Sequence, residues 1–145
     1  MQSIPPFSAF ENSDDTLWIL SGGTVIFQST KKGIAPLIDY LAESTVRPAA
    51  IIVYDRIVGN AAALLAIKAR AIHVTAVTGS RYAADTLRRY GVPYDFHFIV
   101  PSIINRNQDG MCPYERLSLN MAPDEFYEVA YAKITTDGAV NVHRQ

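Results

Sequence analysis

The chain has 145 residues and a mass of 16.0 kDa, room for one compact domain and not for two. It is 49% hydrophobic and 19% charged, with a mean hydropathy of +0.07, which excludes an intrinsically disordered protein and lets a globule of this length bury about two-thirds of its unfolded surface. The net charge of −1, from 13 basic and 14 acidic side chains, leaves no basic surplus for nucleic acid or an anionic membrane.

Residues 1–15 hold Pro5, Pro6 and a polar tract from Glu11 to Asp15, and read as a flexible lead-in to a single domain over 16–145. Leu17-Trp18-Ile19-Leu20 and Thr24-Val25-Ile26-Phe27-Gln28 flank a Ser21-Gly22-Gly23 turn, the pattern of a hairpin. Ile34, Leu37, Ile38 and Leu41 recur at helical spacing, with Pro36 in the first turn where its missing N–H costs nothing. Ala49–Val53 is an apolar strand, and Gly59–Arg70 a helix rich in alanine and leucine, whose small side chains allow close approach to a sheet. Ala71–Val77 is the next strand and Ser80–Tyr90 the next helix, capped by Ser80 and stopped by Gly91. Asp95–Val100 makes another short strand, and the polar stretch Ser102–Met111 a loop. Cys112 stands just before a short helix with Pro113 first and Glu115 third, and Pro123–Ala130 forms a further helix. Lys133–Thr136 and Ala139–Val142 around Asp137-Gly138 read as a polar hairpin.

Strands alternating with helices in this way predict an α/β fold, helices on both faces of a largely parallel sheet, with the opening hairpin as an antiparallel edge. Ligands of such sheets bind beyond the carboxyl ends of the strands. That rule singles out Ser29–Gly33, Asp55–Asn60 and Asn105–Glu115. The single cysteine excludes an internal disulfide and a Cys-rich zinc site. No apolar run approaches the about 20 residues that cross a bilayer, and the first residues lack the basic start and apolar core of a secretory signal. A soluble, cytoplasmic protein is expected.

Three stretches carry a family resemblance: Lys32-Gly33-Ile34-Ala35-Pro36-Leu37, the run Asp55–Ala63, and Pro101-Ser102-Ile103-Ile104-Asn105-Arg106 leading to Gly110–Glu115. In their order and spacing, over about residues 17–120, the chain resembles an uncharacterised bacterial family, a domain of unknown function with a cytidine-deaminase-like fold. The resemblance implies a three-layer α/β/α sandwich with a mixed sheet and an N-terminal β-hairpin. It does not extend to deaminase chemistry. A zinc deaminase needs His or Cys two residues before a Glu on the helix after the hairpin, and Pro-Cys-x-x-Cys on the helix after the next strand. Those places hold Lys31-Lys32-Gly33-Ile34 and Asp55–Asn60, and neither motif occurs anywhere in the chain. His73, His97 and His143 have no spacing suited to a shared metal. No metal and no cofactor are expected.

The Asp55–Asn60 segment leads into a helix N-terminus, where backbone N–H groups lack partners and the dipole favours negative charge. Gly59 would admit a ligand close to the backbone, Arg56 would offer a fork for phosphate or carboxylate, and Asn60 and Asp55 would pair with polar groups. The plainer account is that Asp55 caps the helix, Gly59 relieves a turn and Arg56 is solvated. Lys32 and Gly33 lie at the neighbouring mouth, where lysine can add charge for a phosphate or simply be an exposed surface cation. Asn105 and Arg106 belong to a polar loop of a kind that often carries function, and Glu115 can turn back to cap a backbone N–H. Cys112 feels the helix dipole, which favours a thiolate nucleophile, although a small buried core residue is the commoner role.

The reading that follows is a binding protein for a small molecule, a nucleotide or another phosphate-bearing metabolite, on a zinc-free deaminase-like scaffold. Its ligand-binding residues are Lys32, Gly33, Asp55, Arg56, Gly59, Asn60, Asn105, Arg106 and Glu115. Two alternatives stand beside it: an enzyme using Cys112 as nucleophile or redox thiol, and a homodimeric regulatory module without catalysis. No nucleic-acid or membrane partner is expected.

Overall fold

The structure is a computed structural model that describes residues 4–43, 47–105 and 107–143. Its elements run α1 (Phe7–Glu11), β1 (Leu17–Ser21), β2 (Thr24–Ser29), α2 (Ala35–Glu43), β3 (Ile51–Val58), α3 (Asn60–Lys68), β4 (Ala71–Ser80), α4 (Arg81–Arg89), β5 (Tyr94–Val100), α5 (Pro113–Ser118) and α6 (Pro123–His143). The five strands form one mixed sheet in the order β2-β1-β3-β4-β5. β1 is antiparallel to both its neighbours, and β3, β4 and β5 are parallel.

Local chemistry explains the elements that the sequence announces. Gly22 and Gly23 sit at φ +60 and +83, the two left-handed positions of a tight hairpin turn, so Ser21 faces Thr24 across it. The Ser80 hydroxyl accepts the Ala83 N–H at 3.0 Å and caps α4, while Arg88 and Arg89 fill its last turn. Gly91 at φ +74 ends it. The strands β3 and β4 run further than expected, to Val58 and Ser80, so Asp55 and Arg56 belong to a strand and not to the turn after it.

Residues of alternating parity on the strands feed two cores. Leu17, Ile19, Ile51, Val53, Val74 and Ala76 pack with the apolar faces of α2, α3, α4 and α6. Ala61–Ala66 of α3 are all buried, because this helix is enclosed between the sheet and α2, α4, α5 and α6. Each fully buried leucine there, such as Leu64 or Leu65, is worth about 2 kcal/mol of apolar burial. Trp18, Leu20, Ile52 and Tyr54 form a smaller cluster with Phe7 and Phe10 of α1. Both sheet faces therefore carry helix, but very unequally: α1 belongs to the small cluster and the longer helices to the large one.

Two expectations need correction. The lead-in is docked from Pro5 onward: Phe10 is fully buried, the Tyr54 hydroxyl donates to the Pro5 carbonyl at 2.6 Å, and the Trp18 indole N–H donates to Asp15 at 2.7 Å. Phe7 and Phe10, one helical turn apart, give this polar stretch an apolar face. The C-terminal hairpin is a helix, α6, which buries Phe126 and Ala130 and packs Ile134 against the core. An isolated hairpin is marginal in water, whereas a helix already anchored at Phe126 extends at one hydrogen bond per residue.

Candidate functional site

The carboxyl end of β3 opens into a cleft of about 360 Å3 between the approach to α2, the start of α3 and the start of α5. Each wall has a local cause. Gly33, at φ +68, turns the chain from β2 into α2 and brings Lys32 and Ile34 to the mouth. The loop after β5 folds back through a bridge between Ile104 and Met111, with Cys112 N–H donating to the Ile103 carbonyl at 2.8 Å, and so lays Ile103, Ile104 and Cys112 along the opposite side. Ile57, Ala61 and Ala62 complete a mainly apolar lining.

Of the residues singled out in the sequence, Lys32, Gly33, Asp55, Arg56, Gly59, Cys112 and Glu115 line this one cleft. Their roles differ from those expected. Glu115 is 1% exposed and fills the place where an external anion was expected. Its Oε1 accepts the Asn60 N–H at 2.6 Å and the Ser80 hydroxyl at 3.0 Å, and its Oε2 accepts the Ile103 N–H. One side chain thus joins the starts of α3 and α4 to the loop after β5. Gly59 serves the same contact: a Cβ there would lie 2.9 Å from Ile103 Cγ1 and 3.0 Å from Glu115 Oε1. The close approach to the backbone is made by the protein itself.

Arg56 is likewise committed. Its Nε donates to the Asp15 carbonyl at 3.0 Å, Nη1 to Glu11 at 3.2 Å, and Nη2 to Phe10 and Ser13 at 2.9 and 2.8 Å. The guanidinium also lies 4.4 Å from the centre of the Phe10 ring. It closes the carbonyl end of α1 and the turn after it, which is why a charged residue is tolerated in β3. Four of its five N–H groups are spent on the chain's own carbonyls.

Asn60 does not reach the cleft. Its amide donates to the Ser118 carbonyl and hydroxyl at 3.1 and 2.9 Å and its carbonyl accepts the Thr86 hydroxyl, a buried network between α3, α4 and α5. Asn105 lies apart, in a shallow depression with Arg116, and its side chain is closed onto Asp109 at 2.8 Å. Arg106 lies outside the described residues. Ser80, Thr86 and Ser118 were not singled out as members of this network, and their spacing in the sequence gave no signal beyond the cap at Ser80.

Asp55 keeps its chemistry available. It is 8% exposed, sits mid-sheet opposite Leu17 and Ala76, and accepts the Arg56 backbone N–H at 2.7 Å. Burial raises its pKa from the ordinary carboxyl value to about 7, against the opposing pull of the Arg56 and Ile57 N–H groups and the Arg56 charge. A carboxyl that holds or releases its proton near neutrality, at the floor of an apolar cleft, is a strong candidate for a functional group.

A family described as TM1506, a domain of unknown function (DUF1893), matches residues 8–142. The chain belongs to the DUF1893 family. The fold is similar to the crystal structure of a DUF1893 family protein (TM1506) from Thermotoga maritima, with a TM-score of 0.78 and 28% identity over 87% of this chain and 85% of that one. No curated protein matches the sequence. In this DUF1893 chain no three His, Cys, Asp or Glu side chains cluster as a metal ion would require, among the described residues. Among those residues no helix is long and apolar enough to cross a membrane.

Proposed function

We propose that the chain is a small-molecule binding protein on a deaminase-like scaffold without zinc, and that its ligand is compact and recognised through Asp55. The cleft carries this reading: it draws together segments distant in sequence, encloses about 360 Å3, and holds a buried carboxyl with no described side-chain cation bonded to it. The strand order 2-1-3-4-5 with β1 antiparallel, and a cleft at the starts of the helices after the hairpin and after β3, support the deaminase-like comparison. Zinc does not fit, because Lys32-Gly33 and the Asp55–Asn60 run supply a single carboxyl where the metal would need three ligands. A polyphosphate is also a poor match: Glu115 already holds the N-terminus of α3 and Arg56 is engaged elsewhere, which leaves Lys32 at the mouth for one anionic group.

A thermal-shift screen of nucleobases, nucleosides, mononucleotides and sugar phosphates tests the proposal. The expected outcome is a saturable rise in melting temperature for at least one compact ligand, removed by Ile104→Trp, which narrows the mouth from an exposed position. A ligand-induced rise that survives Ile104→Trp, or no rise with any compound, contradicts it. Cys112 supports a second reading, thiol chemistry on the bound molecule, because the thiol shares this cleft and is only partly buried. Its mark is rapid alkylation of Cys112 near neutral pH, slowed by ligand.

A further inference from the structure

The floor of the cleft has a chemical character that narrows the ligand further, and the argument rests on the cleft being a binding site. Asp55 is enclosed by the sheet, with Leu17 on β1 and Ala76 on β4 as its cross-strand neighbours. Ile34, Ile57, Ile103 and Ile104 bring hydrocarbon to the same space. The charged and titratable groups around the cleft are Arg56 on its own strand, Lys32 before α2, and Cys112, Tyr114 and Glu115 at the start of α5. Arg56 has turned its guanidinium to the carbonyls of residues 10–15, and Glu115 is bonded to Asn60, Ser80 and Ile103. Lys32 is exposed, at the mouth.

A carboxyl in such a place is cheapest as the neutral acid. Its Oδ1 accepts the Arg56 N–H at 2.7 Å, and in the neutral form a further lone pair on the carbonyl oxygen stands beside the O–H, one acceptor and one donor with no charge. We infer that the cleft selects neutral, flat nitrogen heterocycles whose edge sets one acceptor beside one donor, and that Asp55 reads this edge as an un-ionised acid. The Asp55 O–H donates to the ligand's acceptor and its carbonyl oxygen accepts the ligand's N–H, so nothing is gained or lost beyond the pairing itself. Amidinium cations, and edges with two donors, want an ionised carboxylate and are excluded while the acid keeps its proton. Isoleucines supply much of the lining, which suits the apolar face of a ring. The volume, at the small end of the about 300–1,000 Å3 usual for ligand cavities, suits a nucleobase or nucleoside.

The pairing needs a proton on Asp55. Below about pH 7 the free protein already carries it, and above that value each binding event must take one up from solvent. Calorimetric titration with adenosine, cytidine and uridine, all neutral between pH 6 and 8.5, is therefore expected to give an affinity that is flat up to about 7 and falls tenfold per pH unit beyond it. Asp55→Asn, which carries an N–H donor and a carbonyl acceptor at every pH, is expected to bind with no pH dependence, and Asp55→Ala to lose at least tenfold in affinity throughout. Benzamidine, as the cationic probe, is expected not to bind at pH 6, where Asp55 carries its proton. Three results overturn the inference. Benzamidine that binds at pH 6 as tightly as the nucleosides shows that the acid is read as an anion. Nucleoside binding that Ile104→Trp removes but that ignores both pH and Asp55→Ala leaves the cleft as a site and discards Asp55 as its reader. No binding by any of these probes discards the site along with the reader.

Discussion

Glu115 and Asp55 are both buried carboxyls, and the difference between them lies in what each accepts. Three donors converge on Glu115 from the starts of α3 and α4 and from the loop after β5. Glu115→Gln replaces one acceptor oxygen with a donor that must face another donor, and should cost about 2–4 kcal/mol in urea unfolding. A loss below about 0.5 kcal/mol would mean that the network does not hold these elements together. Asp55 couples to pH instead. Its pKa is raised from 3.8 to about 7 on folding, so the folded state binds the proton more tightly than the unfolded chain. The stabilisation from that proton is complete below about pH 4 and is lost as the pH rises to about 7, at about 1.4 kcal/mol per pH unit. Asp55→Asn removes this slope. Between pH 5 and 8 the variant should gain about 3 kcal/mol relative to the parent chain, measured by urea unfolding at each pH. A constant difference would place the Asp55 titration outside this window.

At the scale of elements, the parts with strong local chemistry were legible in the sequence. The Gly22-Gly23 turn, the Ser80 cap and the Gly91 stop each solve a backbone problem within a few residues, and each forms where expected. What was not legible depends on distant partners. The α1 helix exists because Trp18 and the distant Tyr54 pack against its aromatic face and Arg56, some 45 residues on, donates to its carbonyls. At the other end, β-branched residues and Asp137-Gly138 suggest strands, yet Ile134 finds the core as part of a helix. Thr135 bonds its hydroxyl back to the Tyr131 carbonyl at 2.8 Å, as an exposed helical threonine does. Thr135→Ala should therefore stabilise the chain by about 0.5 kcal/mol in thermal unfolding, since alanine is the better helix former. In a strand the same change would destabilise it.

The whole molecule assembles its cleft from chain segments that only the sheet order brings together: residues 32–34, 55–57, Gly59 with Ala61 and Ala62, 103–104, and Cys112 with Tyr114 and Glu115. The rule that α/β sheets bind ligands beyond their strand ends located this place from sequence, because it depends on topology alone. Which atoms remain available there was beyond that rule. Arg56, Asn60 and Glu115 have the residue types of an anion site, and their hydrogen bonds are spent on α1, Ser118 and the α3 start. Only tertiary contacts could reveal that Asp55 is left as the cleft's available polar floor. The most direct test is a nitrogen-15 amide spectrum of the protein titrated with nucleobases and nucleosides at pH 6. Saturable shifts concentrated at residues 32–34, 55–59, 103–104 and 112–115 are predicted. Shifts clustered elsewhere, or a spectrum that no compound moves, would contradict the assignment of this cleft as the binding site.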